Sequence, residues 1–374
     1  MQPDKRLILV IVSLWALMGT VSLRFEPPEF RPWERLYDAD QRRFAASHAL
    51  EMKEIGDLGY KSWVRALQHP RTVVFTTDRW GYRNSRDIES PRVVVIGDSY
   101  VAGSGLSDAE TVTARLAARL GEPVYNLATE VLNAPALFLR EKRFSERKPA
   151  VVIWAPVARG IRPRPLIYRG PDGQAPEPLW TRVADLGDAL VSQVERWNRD
   201  NGLTREMRFA VQSILHDFRG HPQQRRLADG QPVLALSLLE QGLLHSAPSR
   251  EVGACIQMVA ALDQILRRAG VRFVFSPIPE SGSIYPELFP ETERRSLAEP
   301  SFLAELLRGT RAAGVEVVDL RAVYRDDPVP YLFLPDDSHW NARATDLAAA
   351  AWAEQLAPSE ALAARDQSPR SATR

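Results

Sequence analysis

Cysteine is almost missing from this chain: Cys255 is the only one in 374 residues, so no disulfide can close within it. Its apolar flanks, Val252, Ala254, Ile256 and Val259, mark it as a small core residue on a helix. An excess of one charge sign is missing too. Lysine and arginine total 48 against 47 aspartates and glutamates, a net charge of +1. That balance excludes a strong field toward nucleic acid or an anionic surface. The six histidines show no paired metal-site spacing. His216 and His221 flank Asp217, but nothing nearby completes a tetrahedral set. The sequence therefore predicts no metal, no cofactor and no nucleic-acid partner.

What is there begins with an uncharged apolar run, Leu7 to Leu23, behind Lys5 and Arg6. Its 17 residues would rise ~25 Å as a helix, just enough to cross a bilayer. A cleaved secretory signal shares this basic-then-apolar order. The exit Thr20-Val21-Ser22-Leu23-Arg24 offers no Ala-x-Ala site, which favours an uncleaved anchor. Basic residues kept inside leave the remaining chain facing outward, which in a bacterium is the periplasm. A lone cysteine is compatible with that compartment. Residues 24–72 read as a linker rich in proline and charge, then an irregular helical segment with no assigned role.

With 45% hydrophobic residues the chain can bury a large core. From residue 73 to 356 it reads as one α/β domain. Apolar runs occur at Val93–Ile96, Pro123–Leu127, Ala150–Trp154, Arg272–Phe275 and Val315–Val318. Helical patterns lie at Asp108–Leu120, Ala134–Phe144, Val252–Ala269, Pro300–Ala313 and Ala342–Leu356. This alternation predicts a three-layer α/β/α sandwich on a five-stranded, mostly parallel sheet. A helical insertion follows the third strand, at about residues 160–250. In it Trp180, Val183, Leu186, Leu190, Val194 and Trp197 recur at helical spacing, and a second helix covers Leu203–Phe218. The insertion could cap a site, dock a partner or pad the fold. Residues 357–374 are polar and charged and read as a disordered tail.

Two short stretches carry chemistry. The strand Val93–Ile96 ends in Gly97-Asp98-Ser99, small residues follow, and then a helix. Gly, Asp and Ser also build ordinary turns. A serine at this point, however, stands at the carboxyl edge of a parallel sheet, where such folds bind ligands. Leu334-Pro335-Asp336-Asp337-Ser338-His339-Trp340-Asn341 precedes the last helix and shares that edge. A serine hydroxyl needs a base to take its proton, and the base needs an acid to hold its tautomer. Ser99, His339 and either Asp336 or Asp337 supply those three types.

Together these blocks resemble the SGNH (GDSL-type) hydrolase superfamily. Phe75 to Asn84 is similar to the segment before the nucleophile strand in membrane-anchored members, and Val124-Tyr125-Asn126-Leu127 to their second strand. Pro277-Ile278-Pro279-Glu280, with Ile284 to Glu287, resembles a motif of the polysaccharide O-acetyltransferase branch, alginate acetylation proteins among them. The resemblance implies Ser99 as nucleophile and His339 as general base, then acid. The acid is Asp336 in one variety and Asp337 in the Asp-x-His-Trp variety that Trp340 and Asn341 match. It also implies an oxyanion hole from the Ser99 N–H, a glycine N–H and an asparagine. This chain departs there: Ala128 stands at the glycine position with Asn133 after it, and Arg159 replaces the Gly-x-Asn block. Ser281 stands where a lysine often follows Pro-x-Pro. The implied activity is O-acetyl transfer or O-acetyl ester hydrolysis on a cell-surface or secreted polysaccharide, with a multispanning membrane partner delivering the acyl donor. The alternatives are a small-ester esterase, or a non-catalytic fold that binds polysaccharide or scaffolds a complex.

Overall fold

The buried β-branched runs pair side by side into a single sheet. The computed structural model describes residues 29–38, 43–129, 134–163, 166, 202–221, 223–235, 249–294 and 301–357. The strands are β1 (Glu29–Phe30), β2 (Ala49–Ile55), β3 (Arg71–Thr76), β4 (Val93–Gly97), β5 (Val124–Ala128), β6 (Val151–Ala155), β7 (Arg272–Phe275) and β8 (Glu316–Val317). The central sheet runs β8-β7-β6-β4-β5, and every pairing in it is parallel. The strand carrying Gly97 lies inside, between β5 and β6.

Side chains alternate across this sheet. Val93 and Val95 join a core with the helices α3 (Val112–Leu120), α8 (Leu320–Arg325) and α9 (Ala342–Leu356). Val94 and Ile96 join a second core with α4 (Ala134–Arg140), α6 (Ser249–Arg268) and α7 (Phe302–Ala312). Two apolar faces covered by helices explain why these strands read as unbroken apolar runs, and they make the expected three layers. Cys255 is buried in the second core, where burial pushes its thiol up to about 11.

Three expectations need correction. The pattern over Ala134–Phe144 is broken at Glu141, where a separate turn of helix, Lys142–Glu146, begins. Asp108–Glu110 is a 3₁₀ turn ahead of α3, whose start is capped by Thr111 Oγ1 accepting from the Ala114 N–H at 3.3 Å. Most consequentially, residues 24–72 are not merely linker and irregular helix. Their described part forms β2, antiparallel to β3 and parallel to β1, and then α1 (Asp57–Ser62). This second small sheet carries groups into the candidate site.

Of the insertion, the described residues form α5 (Gly202–Arg219) and a hairpin pairing Gln224–Arg226 with Pro232–Leu234. The helix predicted over Leu203–Phe218 is therefore present. The Leu234 N–H donates to the Pro335 carbonyl at 2.7 Å, tying the hairpin to the loop before His339. The run Leu7–Leu23, the stripe Trp180–Trp197 and the tail beyond residue 357 lie outside the described residues. Among the described residues no helix is long and apolar enough to cross a membrane.

Candidate active site

The turn after β4 is shaped by two residues. A Cβ on Gly97 would lie 2.4 Å from Val101 Cγ2 and 2.8 Å from the Ala155 carbonyl oxygen, so only glycine lets the chain turn this tightly. Asp98 caps the short helix α2 (Ser99–Ala102): Oδ1 accepts from the Tyr100 N–H at 3.1 Å. Its Oδ2 accepts from the Val157 N–H at 2.8 Å, fixing the turn to the loop leaving β6. Burial pushes the Asp98 carboxyl up, and those two N–H groups pull it back. Ser99 is thus the first helical residue, where a backbone N–H has no intrahelical acceptor.

The loop before α9 folds back on this turn. Trp340 is fully buried and its indole N–H donates to the Tyr100 carbonyl at 3.0 Å. The Tyr100 hydroxyl donates to the Ser338 carbonyl, and its ring lies 4.4 Å from the His339 ring. Asn341 caps α9, accepting from Arg343 and Ala344 at 3.0 and 3.1 Å. The two sequence blocks are interlocked through Tyr100.

This interlock brings Ser99 Oγ to 2.8 Å from His339 Nε2 and Asp337 Oδ1 to 2.6 Å from His339 Nδ1. A carboxylate at Nδ1 places the ring proton there and leaves the Nε2 lone pair for the serine hydroxyl. Asp336, the other candidate acid, points elsewhere. Its Oδ2 accepts from the Gly56 and His69 N–H groups, both at 2.9 Å, and its Oδ1 accepts from Arg71 at 2.7 Å. Its backbone fits only against glycine, since a Cβ on Gly56 would come within 2.1 Å of the Asp336 carbonyl oxygen.

The small N-terminal sheet supplies a ring of charges around this core. Arg71 donates to Asp337 Oδ2 at 3.1 Å as well as to Asp336. Although burial works against the Arg71 cation, Asp337 and Asp336 raise its pKa. Asp57, at the start of α1, accepts from both the N–H and the hydroxyl of Ser338 at 2.7 Å. Burial would raise Asp57, but His339 and Arg31 hold it well below the usual carboxylate range. Glu54 stands opposite Arg71 across the β2–β3 pair, fully buried, and neither carboxyl oxygen has a hydrogen-bond partner. Burial pushes it up to about 7, against the pull of Arg71. Arg31 reaches in last, with Nη2 3.5 Å from His339 Nε2.

None of these four groups was singled out from the sequence. Arg71, Asp57 and Arg31 lie 265 to 308 residues from their partners in the His339 loop, and no local pattern encodes such contacts. The expected oxyanion donors fare differently. The Ala128 N–H is engaged, donating to Asn126 Oδ1 at 3.0 Å, so it is not open to a substrate oxygen. Asn133 lies outside the described residues. Arg159 does lie beside the His339 loop, donating to Tyr100 Oη at 3.2 Å and to Ser338 Oγ at 3.4 Å. Buried Glu280 of the Pro-x-Pro-Glu motif fixes it at 3.1 Å. The segment before β4 is structural: Asp78 Oδ2 accepts from Asn84 at 2.9 Å and from Tyr125 at 2.6 Å, bracing β5.

Asp57, Asp337 and His339 lie close enough together to hold a cation. Their donor atoms are already committed to Ser338, Arg71, Ser99 and each other, so the arrangement is that of a hydrogen-bond network.

Residues 240–373 match the family model for the SGNH hydrolase-like domain of the acetyltransferase AlgX. That stretch contains the His339 loop and lies wholly beyond Ser99. No curated protein matches the chain. Among solved structures, a protein of Slackia heliotrinireducens assigned to the SGNH hydrolases is 13% identical, over 72% of this chain and 100% of that one, with a TM-score of 0.37. A protein of Desulfitobacterium hafniense DCB-2 assigned to the lipolytic G-D-S-L family is 13% identical, over 71% of this chain and 98% of that one, with a TM-score of 0.36.

Proposed function

We propose that this chain is an SGNH-type acyl-transfer enzyme, as the match of residues 240–373 to the AlgX hydrolase-like domain suggests, and that it moves an O-acetyl group on a polysaccharide through an acyl-enzyme on Ser99. Ser99 Oγ attacks the acyl carbon and its proton passes to His339 Nε2. The carbonyl electron pair moves onto oxygen, forming a tetrahedral oxyanion. When the oxyanion collapses, the bond to the leaving oxygen breaks and Nε2 returns the proton to it. A sugar hydroxyl or water then repeats these steps on the acyl-enzyme. Asp337 keeps the Nδ1 proton in place and balances the imidazolium. The chemistry calls for no cofactor.

The observation that carries this reading is the relay Asp337–His339–Ser99, at 2.6 and 2.8 Å. Transfer and hydrolysis differ in which acceptor is held and how well water is kept out. The apolar run Leu7–Leu23 favours an anchored protein facing the bacterial periplasm, supplied with acyl groups by a multispanning membrane partner, and so tilts the reading to transfer. A non-catalytic scaffold is the second reading, and the engagement of the Ala128 N–H by Asn126 favours it.

Incubation of the full-length protein with acetylated and unacetylated glycans and an acetyl donor, beside Ser99→Ala, separates these readings. Ser99-dependent acetate gain by the glycan indicates a transferase, and Ser99-dependent release an esterase. Equal behaviour of wild type and Ser99→Ala would contradict the proposal in favour of the scaffold.

A further inference from the structure

We infer that Arg31 is a catalytic residue of this site, the cation that receives the oxyanion formed when Ser99 attacks. The inference rests on the acyl-transfer reading above and adds a residue to it from a segment the sequence treats as linker.

Three observations converge on Arg31. Its Nη2 lies 3.5 Å from His339 Nε2, the nitrogen that Ser99 Oγ approaches at 2.8 Å. Its backbone is left-handed, with φ 43° and ψ 60°, at a non-glycine residue directly before Pro32. Both the side chain and a following proline disfavour that conformation, and such outliers persist where the surroundings impose them, often at functional sites. Finally, the neighbours aim it. Glu34 pairs with it at 3.5 Å, and Trp33 lies under the guanidinium at 5.8 Å while stacking on Phe75 at 5.5 Å.

Arg31 is paired with Glu34 as Arg159 is with Glu280, but Arg31 also reaches His339 Nε2 while Arg159 reaches Tyr100 and Ser338, and the Ala128 N–H is held by Asn126. The electron accounting explains why Arg31 suits the task. At rest the Nε2 lone pair attracts both the serine O–H and the Arg31 N–H. Once the serine proton has moved, that lone pair is gone and Nε2 is itself a donor. Nε2 stops accepting from Arg31 at the moment the substrate oxygen, one bond beyond the new Ser99 Oγ–carbon bond, becomes an anion. Asp57 faces both His339 and Arg31, so two cations can coexist there during the step.

A fluorophosphonate probe tests this. Ser99 Oγ bonds to phosphorus, fluoride leaves, the proton goes to Nε2, and the phosphoryl oxygen takes the oxyanion position. Labelling rates would be measured on the full-length protein in detergent for wild type, Ser99→Ala, Arg31→Lys and Arg31→Gly. Glycine suits a positive φ, which offsets part of what Arg31→Gly loses with Glu34 and Asp57, and circular dichroism of each variant checks that it is folded. The expected result is labelling slowed ~10²–10³-fold in Arg31→Gly, partly retained in Arg31→Lys, and raised in Arg31→Gly by added guanidinium at non-denaturing concentration. Wild-type labelling speed in Arg31→Gly would overturn the inference while leaving the acyl-transfer reading intact. So would a loss restored by neither lysine nor guanidinium, because that marks a packing role. Failure of folded wild type to label at Ser99 would overturn the acyl-transfer reading and this inference with it.

Discussion

At the scale of the residue, Glu54 is a carboxyl whose charge is brought within reach of ordinary pH. It is buried with neither oxygen hydrogen-bonded, and its pKa stands at about 7 against an ordinary 4.5. A carboxyl raised in the fold holds its proton longer there than in the unfolded chain. Below about pH 4.5 both states are protonated and the group is neutral to stability. As pH rises from 4.5 to 7 the unfolded chain ionises first, so the fold loses stability, and above 7 the loss is complete. The span amounts to about 3 kcal/mol. Glu54→Gln keeps the shape and removes the titration. Urea unfolding at pH 5 and pH 8 should therefore show the wild type losing roughly 2–3 kcal/mol more than the variant, since part of the span is already lost at pH 5. Parallel losses in the two proteins would contradict this account of Glu54.

At the scale of the element, β3 does two jobs: it completes the small sheet and delivers Arg71 to the His339 loop. Arg71 joins Asp336 at 2.7 Å and Asp337 at 3.1 Å, both carboxylates buried. Arg71→Met would leave two buried charges short of their counter-ion, a change that typically costs about 3–5 kcal/mol. Calorimetry should show a markedly lower unfolding temperature, with slower phosphonate labelling in the protein that remains folded, because Asp337 loses a fixed partner. An unchanged unfolding temperature would show that the pair contributes little. The elements were unequally legible. The central strands were readable because both faces are buried, which leaves apolar residues at every position but Asn126. The strand β2, Ala-Leu-Glu-Met-Lys-Glu-Ile, was not. Its first residues are exposed, and Leu, Glu, Met and Lys are strong helix formers, so its composition points to helix while cross-strand pairing with β3 decides otherwise.

At the scale of the whole molecule, the α/β framework sets one edge where strand-end loops meet, and the small N-terminal sheet closes that edge with charge. Ser99 and His339 were legible because each sits in a short block whose composition reflects its local turn. Asp337 could be preferred over Asp336 only by the neighbouring Trp340 and Asn341, and the fold separates the two by aiming Asp336 at Gly56, His69 and Arg71. Arg31, Asp57 and Arg71 were illegible because their partners arrive from the far end of the chain, and Glu54 because it lies in β2, whose composition points to helix. All of this chemistry turns on Ser99 carrying the acyl group. Its most direct test is peptide mass spectrometry of the full-length protein, acid-quenched during incubation with an aryl acetate. The expected result is one acetyl group on the peptide containing Ser99, lost in Ser99→Ala and strongly reduced in His339→Ala. A folded wild-type protein with no acetyl group on that serine, or with the same acetylation in Ser99→Ala, would contradict it.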